Sequence, residues 1–233
     1  MKLPAKFLRH VRISLRGLLL AVTLCAVALG VMAHRATRQR DLVRSLADGS
    51  GAVFYDFQFT PDGQLAPERR SPLPGWLVET LGIDLLHHVV WLRLDGPQVN
   101  DETLAAAVRL PRLQTLHLYN THVSEQGLAQ LERLTSLRVL TLNTPEVGDE
   151  LVARLSELPE LRELEIFSAL VTDNALEKLA NCLSLQRVWF EDTDVTEAGL
   201  DQFRGRRPEC RAGYSSPGFK TAAWRPRSVT GAN

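Results

Sequence analysis

The chain has 233 residues, 27 basic and 27 acidic side chains, 45% hydrophobic residues and three cysteines. So few cysteines exclude a disulfide-stapled scaffold, and Cys25, Cys182 and Cys210 read as small buried hydrophobes. The neutral total conceals a segregation: net +8 over residues 1–44, −4 over 45–88, −8 over 89–209 and +4 over the tail. An acidic central region argues against nucleic acid as a partner, because neutralising phosphates dominates that affinity.

In chain order, residues 1–16 form a basic amino-terminal segment carrying Lys2, Lys6, Arg9, Arg12 and Arg16. Residues 17–33 hold no charge and are mostly Leu, Ala and Val, which is the shortest length expected of a transmembrane helix. Residues 34–51 read as a basic juxtamembrane helix and linker, with Arg35, Arg38, Arg40 and Arg44 against Asp41. The upstream side is slightly more basic, so the positive-inside rule predicts a cytoplasmic amino terminus, a signal-anchor and an extracytoplasmic repeat region. The alternative is a cleaved signal peptide ending at Val31-Met32-Ala33, with a secreted product. Four arginines just downstream disfavour cleavage, and Leu24 before Cys25 is not the small residue a lipoprotein signal needs.

Residues 52–88 read as an amino-terminal strand and capping helix. Ala52 to Phe59 alternates as a strand and stops at the turn Pro61-Asp62-Gly63. It is expected to lie beside the first repeat as a strand or flap. Pro74 to Gly82 reads as a short helix, and Ile83, Leu85 and Leu86 lead into the next strand. His87 and His88 are adjacent, so their side chains diverge and no metal role is expected.

Five gapless 24-residue segments then begin at Val89, Leu113, Leu137, Leu161 and Leu185 and fill residues 89–209. Positions 1, 4 and 6 are apolar throughout, as in Leu113, Leu116 and Leu118, which is the period of a strand with one buried side. Position 11 is valine each time. Position 12 (Asn100, Ser124, Gly148, Thr172, Thr196) suits an N-cap. Position 13 (Asp101, Glu125, Asp149, Asp173, Glu197) places an acid at the positive end of a helix dipole. Each unit is therefore strand, turn, capped short helix and return, and a fixed period of this length means a stacked solenoid.

The pattern LxxLxL…V[ST][DE]xxLxxLxxL resembles the leucine-rich repeat family in a 24-residue variety. The resemblance implies an α/β leucine-rich repeat solenoid, with parallel strands on the concave side and short helices on the convex side. Together with the transmembrane helix it resembles bacterial single-pass membrane-anchored leucine-rich repeat proteins. One feature departs from the family. The asparagine common after the strand is absent, and position 9 holds Pro97, Thr121, Pro145, Ala169 and Thr193. Carbonyls buried at that corner must then be satisfied by threonine hydroxyls, backbone or water. Residues 210–233 read as a cap remnant, with Cys210 at the first position of a truncated sixth turn, followed by a disordered tail from Ser215.

No phosphate loop, GxSxG, HExxH or paired CxxC occurs, so neither an enzyme nor a cofactor or metal site is expected. The acids Glu191, Asp192 and Asp194 lack calcium-loop spacing and read as solvated turn charges. The candidate protein-binding surface is the exposed strand face at positions 3, 5 and 7: Trp91, Arg93, His117, Tyr119, Glu163, Glu165, Phe167, Arg187 and Trp189. Trp, Tyr and Arg dominate protein interfaces. Two readings of these aromatics stand. They contact an unknown protein partner, or they pack on one another across strands and under the amino-terminal flap. The alternatives to an interaction module are an envelope-associated enzyme subunit, with His117 and Glu165 exchanging protons, and a structural spacer without a ligand. Two strands apart, His117 and Glu165 are about 10 Å from each other, too far for a direct hydrogen bond.

Overall fold

The computed structural model describes residues 15–45, 51–60, 62–168 and 170–215. The basic start to Ser14, residues 46–50 of the linker, Pro61 of the turn, Ala169 and the tail beyond Ser215 lie outside the described residues.

A single helix, α1 (Leu15–Ser45), carries the apolar stretch and runs without a break through the basic residues after it. It is long and apolar enough to cross a membrane. Residues 18–35 are exposed on every side, and the hydroxyl of Thr23 bonds back to the Leu19 carbonyl. Burial begins abruptly at Ala36 and continues at Gln39 and Leu42. That spacing places one helical face against the rest of the protein. The juxtamembrane segment is thus a helix to Ser45 that docks on the protein from Ala36 onward.

Next come β1 (Gly51–Tyr55), α2 (Gly75–Leu81) and α3 (Ile83–Leu86). The expected strand to Phe59 stops at Tyr55, because the Gln58 side chain accepts the Tyr55 N–H at 2.9 Å and closes a 3-10 turn. Strands and helices then alternate as β2 (Val89–Asp95), α4 (Asp101–Ala107), β3 (Thr115–Tyr119), α5 (Glu125–Ala129) and β4 (Val139–Asn143). They continue as α6 (Asp149–Leu155), β5 (Glu163–Phe167), α7 (Asp173–Leu179), β6 (Arg187–Glu191), α8 (Glu197–Arg206) and β7 (Arg211–Ser215). The seven strands form one sheet in sequence order; β1 is antiparallel to β2 and the rest are parallel. The register follows the period, pairing Leu92, Leu116, Leu140, Leu164 and Val188 in one row. These five and the position-6 row from Leu94 to Phe190 are fully buried. Removing one such leucine to alanine costs about 2–5 kcal/mol.

The carboxy-terminal remnant is a complete strand. Arg211 pairs with Arg187, and Ser215, expected to start the tail, pairs with Glu191. Cys210 makes the turn bond to Arg207 that Leu185 makes to Cys182, but one residue nearer the strand.

Position 13 turns out to join the units. Asp101 accepts the Ser124 N–H at 2.8 Å and its hydroxyl at 2.6 Å. Asp149 does the same for Thr172, and Asp173 for Thr196. A β-carbon on Gly127 or Gly199 would stand 2.2 Å from the Asp101 or Asp173 carboxylate, so glycine is required beside those two bridges. Gly148 has no hydroxyl and its cap makes no side-chain bond, leaving a gap in the ladder. At the asparagine-less corner, Thr144 and Ser168 hydroxyls donate to the carbonyls of Thr121 and Val147, at 3.3 and 2.8 Å. In the other units position 8 is Gly96, Asn120 or Asp192 in the left-handed region, the residue types that adopt it most readily.

Candidate functional site

Positions 3, 5 and 7 share one face of the sheet, because side chains alternate along a strand. That face is not uniform. At its amino-terminal edge β1 brings Phe54 opposite Trp91, and the rings meet edge to face at 5.0 Å. Trp91 is only 7% exposed and lies 5.2 Å from the His117 ring, itself 2% exposed. Neither is the exposed contact residue that the sequence predicted. The second reading holds here: these aromatics pack under the flap and across strands. Next to them Arg93 remains exposed, with its guanidinium 4.9 Å from the centre of the Tyr119 ring and 2.5 Å from Asp95. Tyr119 is half-buried and lies parallel to His117.

His117 reaches Glu165 through a residue not singled out from the sequence. Its Nδ1 is 2.8 Å from the Thr141 hydroxyl, which donates to Glu165 at 3.3 Å. An ionised Glu165 can only accept, so Thr141 donates to it and accepts from the Nδ1–H of a neutral imidazole. Burial first, then the charge of Arg93, lowers the His117 pKa to about 4. Burial raises that of Glu165, against the opposing charge of Arg187. Threonine at position 5 between a histidine and a glutamate was the available signal for this relay; only the sheet register shows that the hydroxyl bridges both.

The carboxy-terminal half is open. Glu163 and Arg187 are ion-paired across β5 and β6. Phe167 is half-buried, and Trp189 is 37% exposed. The Trp189 ring lies over Gly213, where a β-carbon would come within 2.3 Å of it, and its Nε1–H donates to Ser215 at 3.1 Å. Glu191 pairs in register with Phe167 and Ser215, and one of its oxygens is buried without a hydrogen-bond partner. Burial, then Asp192 and Glu165, raises its pKa.

Away from this face, an open groove of about 700 Å³ between α6 and α7 is lined by Glu150, Arg154, Glu157 and Lys178 among others. Its lining mixes charges of both signs with the 84% exposed Leu183. No group of three or more potential metal-ligating residues occurs among the described residues. His87 is held between Asp56 at 2.9 Å and Ser71 at 2.8 Å.

A parallel sheet in 24-residue register, with capped helices on its far side, is a leucine-rich repeat solenoid. No protein-family model and no curated protein matches the chain. Among solved structures, similarity extends to a leucine-rich repeat protein of Leptospira interrogans, at 19% identity and TM-score 0.36, over 46% of this chain and 27% of that one. A TLR13–ssRNA13 complex matches at 20% identity and TM-score 0.35, over 46% of this chain and 17% of that one. Internalin C2 of Listeria monocytogenes matches at 14% identity and TM-score 0.36, over 57% of this chain and 75% of that one. The chain thus spans 27% and 17% of the first two.

Proposed function

We propose that the chain is a membrane-anchored interaction module, held by α1 and binding a protein partner through the carboxy-terminal half of its concave strand face. The observation that carries this reading is the contrast across that face. Its aromatics are sealed under β1 at one end, yet Phe167 and Trp189 remain accessible beside Glu165 and Glu191 at the other. Partly exposed aromatics beside desolvated charge are the usual anchors of an interface. Arg93, Tyr119, Glu163 and Arg187 border the same surface, whereas Trp91 and His117 act beneath it. The greater basicity ahead of α1 supports a cytoplasmic amino terminus with the solenoid outside. The net −8 of the repeats supports a protein rather than a nucleic acid as partner.

The enzyme reading has one observation in its favour, the His117–Thr141–Glu165 relay. The histidine end of that relay is covered by Trp91, however, and a base with its pKa near 4 drives little proton abstraction at neutral pH.

Site-specific photocrosslinking in native membranes tests the interaction. A probe at residue 167 or 189 is expected to trap one discrete partner, and a probe at Glu150 on the helix side is expected to trap none. Loss of the adduct on Arg187→Ala, with circular dichroism unchanged, locates the contact. An adduct equally strong from residue 150 rejects the concave face.

A further inference from the structure

Helix α2 contains three strongly apolar side chains and a tryptophan in seven residues; Leu77 and Val78 are half-buried against the protein, and Trp76 and Leu81 are left exposed. Trp76 is 67% and Leu81 42% exposed. At 100° per residue, Leu77, Leu81 and Val78 share one side of the helix, and Trp76 stands at its edge next to Thr80 and Glu79. A largely exposed tryptophan with an exposed leucine on the same short helix marks a contact surface.

The position of α2 along the chain's own anchor identifies what that surface contacts. The seventeen uncharged residues from Gly17 to Ala33 make about 25 Å at 1.5 Å rise, close to a hydrocarbon core of about 30 Å. Three residues on, at Ala36, α1 first becomes buried against the rest of the protein, so the protein body begins just past the uncharged span. Arg40 stands four residues further, about 6 Å, within the headgroup layer. Its guanidinium lies against Gly82, the residue that ends α2: a β-carbon there would be 2.5 Å from an Arg40 nitrogen. Arg35, Arg38 and Arg44 are exposed within about 8 Å of Arg40 along the helix, where anionic headgroups attract basic side chains.

We infer that α2 is a membrane-interface element, its exposed Trp76 and Leu81 resting in an anionic lipid surface beside the exit of α1. This rests on α1 crossing the membrane. Tryptophan is the side chain most suited to that depth, with an apolar ring and a polar N–H. The solenoid then has two points of attachment, α1 and α2, and a restricted tilt against the bilayer.

The full chain is reconstituted in vesicles of phosphatidylcholine and phosphatidylglycerol with brominated acyl chains. Co-flotation with the vesicles reports α1, and bromine quenching of tryptophan fluorescence reports α2. The wild type is expected to float and to be quenched. Trp76→Phe is expected to float but to lose most of the quenching, whereas Trp189→Phe keeps it. A chain that does not float overturns both the anchoring and the interface. Flotation with equal quenching in Trp76→Phe overturns the interface alone. Crosslinking between copies through residue 76, with no lipid quenching, also overturns it, because a second copy then covers the face.

Discussion

The two ends of the solenoid are closed by different chemistry, and the concave face differs accordingly. At the amino-terminal end, closure comes from added secondary structure. Helix α1 contributes Leu42 to the core, and the Gln39 amide bonds the His87 carbonyl and the Val89 N–H, at 3.0 and 3.2 Å. Asp84 gathers Gln39 and the Tyr55 hydroxyl at 3.1 and 2.9 Å. Strand β1 then covers Trp91 and, through it, His117. At the carboxy-terminal end, β7 adds one more parallel strand, and a buried side chain completes the cap: Arg207, 4% exposed, donates to the carbonyls of Cys182, Leu183 and Leu185 and pairs with Glu209. On the strand face β7 sets Gly213 beneath the Trp189 ring, and Trp189 stays 37% exposed. A solenoid whose ends are capped so differently keeps its exposed strand-face aromatics in the carboxy-terminal half.

The largest effect is expected from Arg207→Ala. It leaves several buried carbonyls without donors and should destabilise the full chain by about 3 kcal/mol, read as a lowered urea midpoint in detergent. Loss of protection should concentrate in β6 and β7 by hydrogen exchange. An effect spread evenly to β2 would contradict separate caps.

Acid should act on the opposite half, by a similar amount. An unfolded chain protonates His117 near pH 6.5, and the folded one only near pH 4. The unfolded state therefore binds more protons between those values, so stability is full above pH 6.5 and falls as pH drops toward 4. The loss is about 3 kcal/mol at the low end. Glu165, with its raised pKa, opposes part of that loss. His117→Gln is expected to flatten the stability–pH curve over this range; an unchanged curve would remove His117 as its source.

Gln39→Ala, which orphans the Val89 N–H and one bond to the His87 carbonyl, should cost about 2 kcal/mol. It should release α1 from the cap without altering β6. The smallest effect tests the ladder between units: Asp149→Ala removes both bonds to Thr172 and should cost about 1 kcal/mol, against little for Glu125→Ala beside Gly148. Equal effects of the two would show that the acids act only through the helix dipole.

Much of this was legible in the residues themselves. The leucines at positions 4 and 6 announce a strand with one buried side, and the capping residues at position 12 announce the helix. A five-fold period leaves little choice but stacking. The bridges from Asp101, Asp149 and Asp173 were half legible: the acid was visible, but its partner lies 23 residues on, in the next unit. Arg207 looked like the end of a pattern, and nothing local shows that its head points inward. Of the nine candidate surface residues, Trp91 and His117 were misjudged for one reason: alternation assigns a face but not what covers it.

The sequence by itself determined the solenoid, its register and its apolar amino-terminal helix, since each follows from periodicity and side-chain polarity that act locally. Only the tertiary structure decided that α1 continues into the cap, that β1 closes one half of the concave face and that Thr141 joins His117 to Glu165. Those contacts pair residues from 24 to more than 45 positions apart, where packing rather than local preference selects the neighbour.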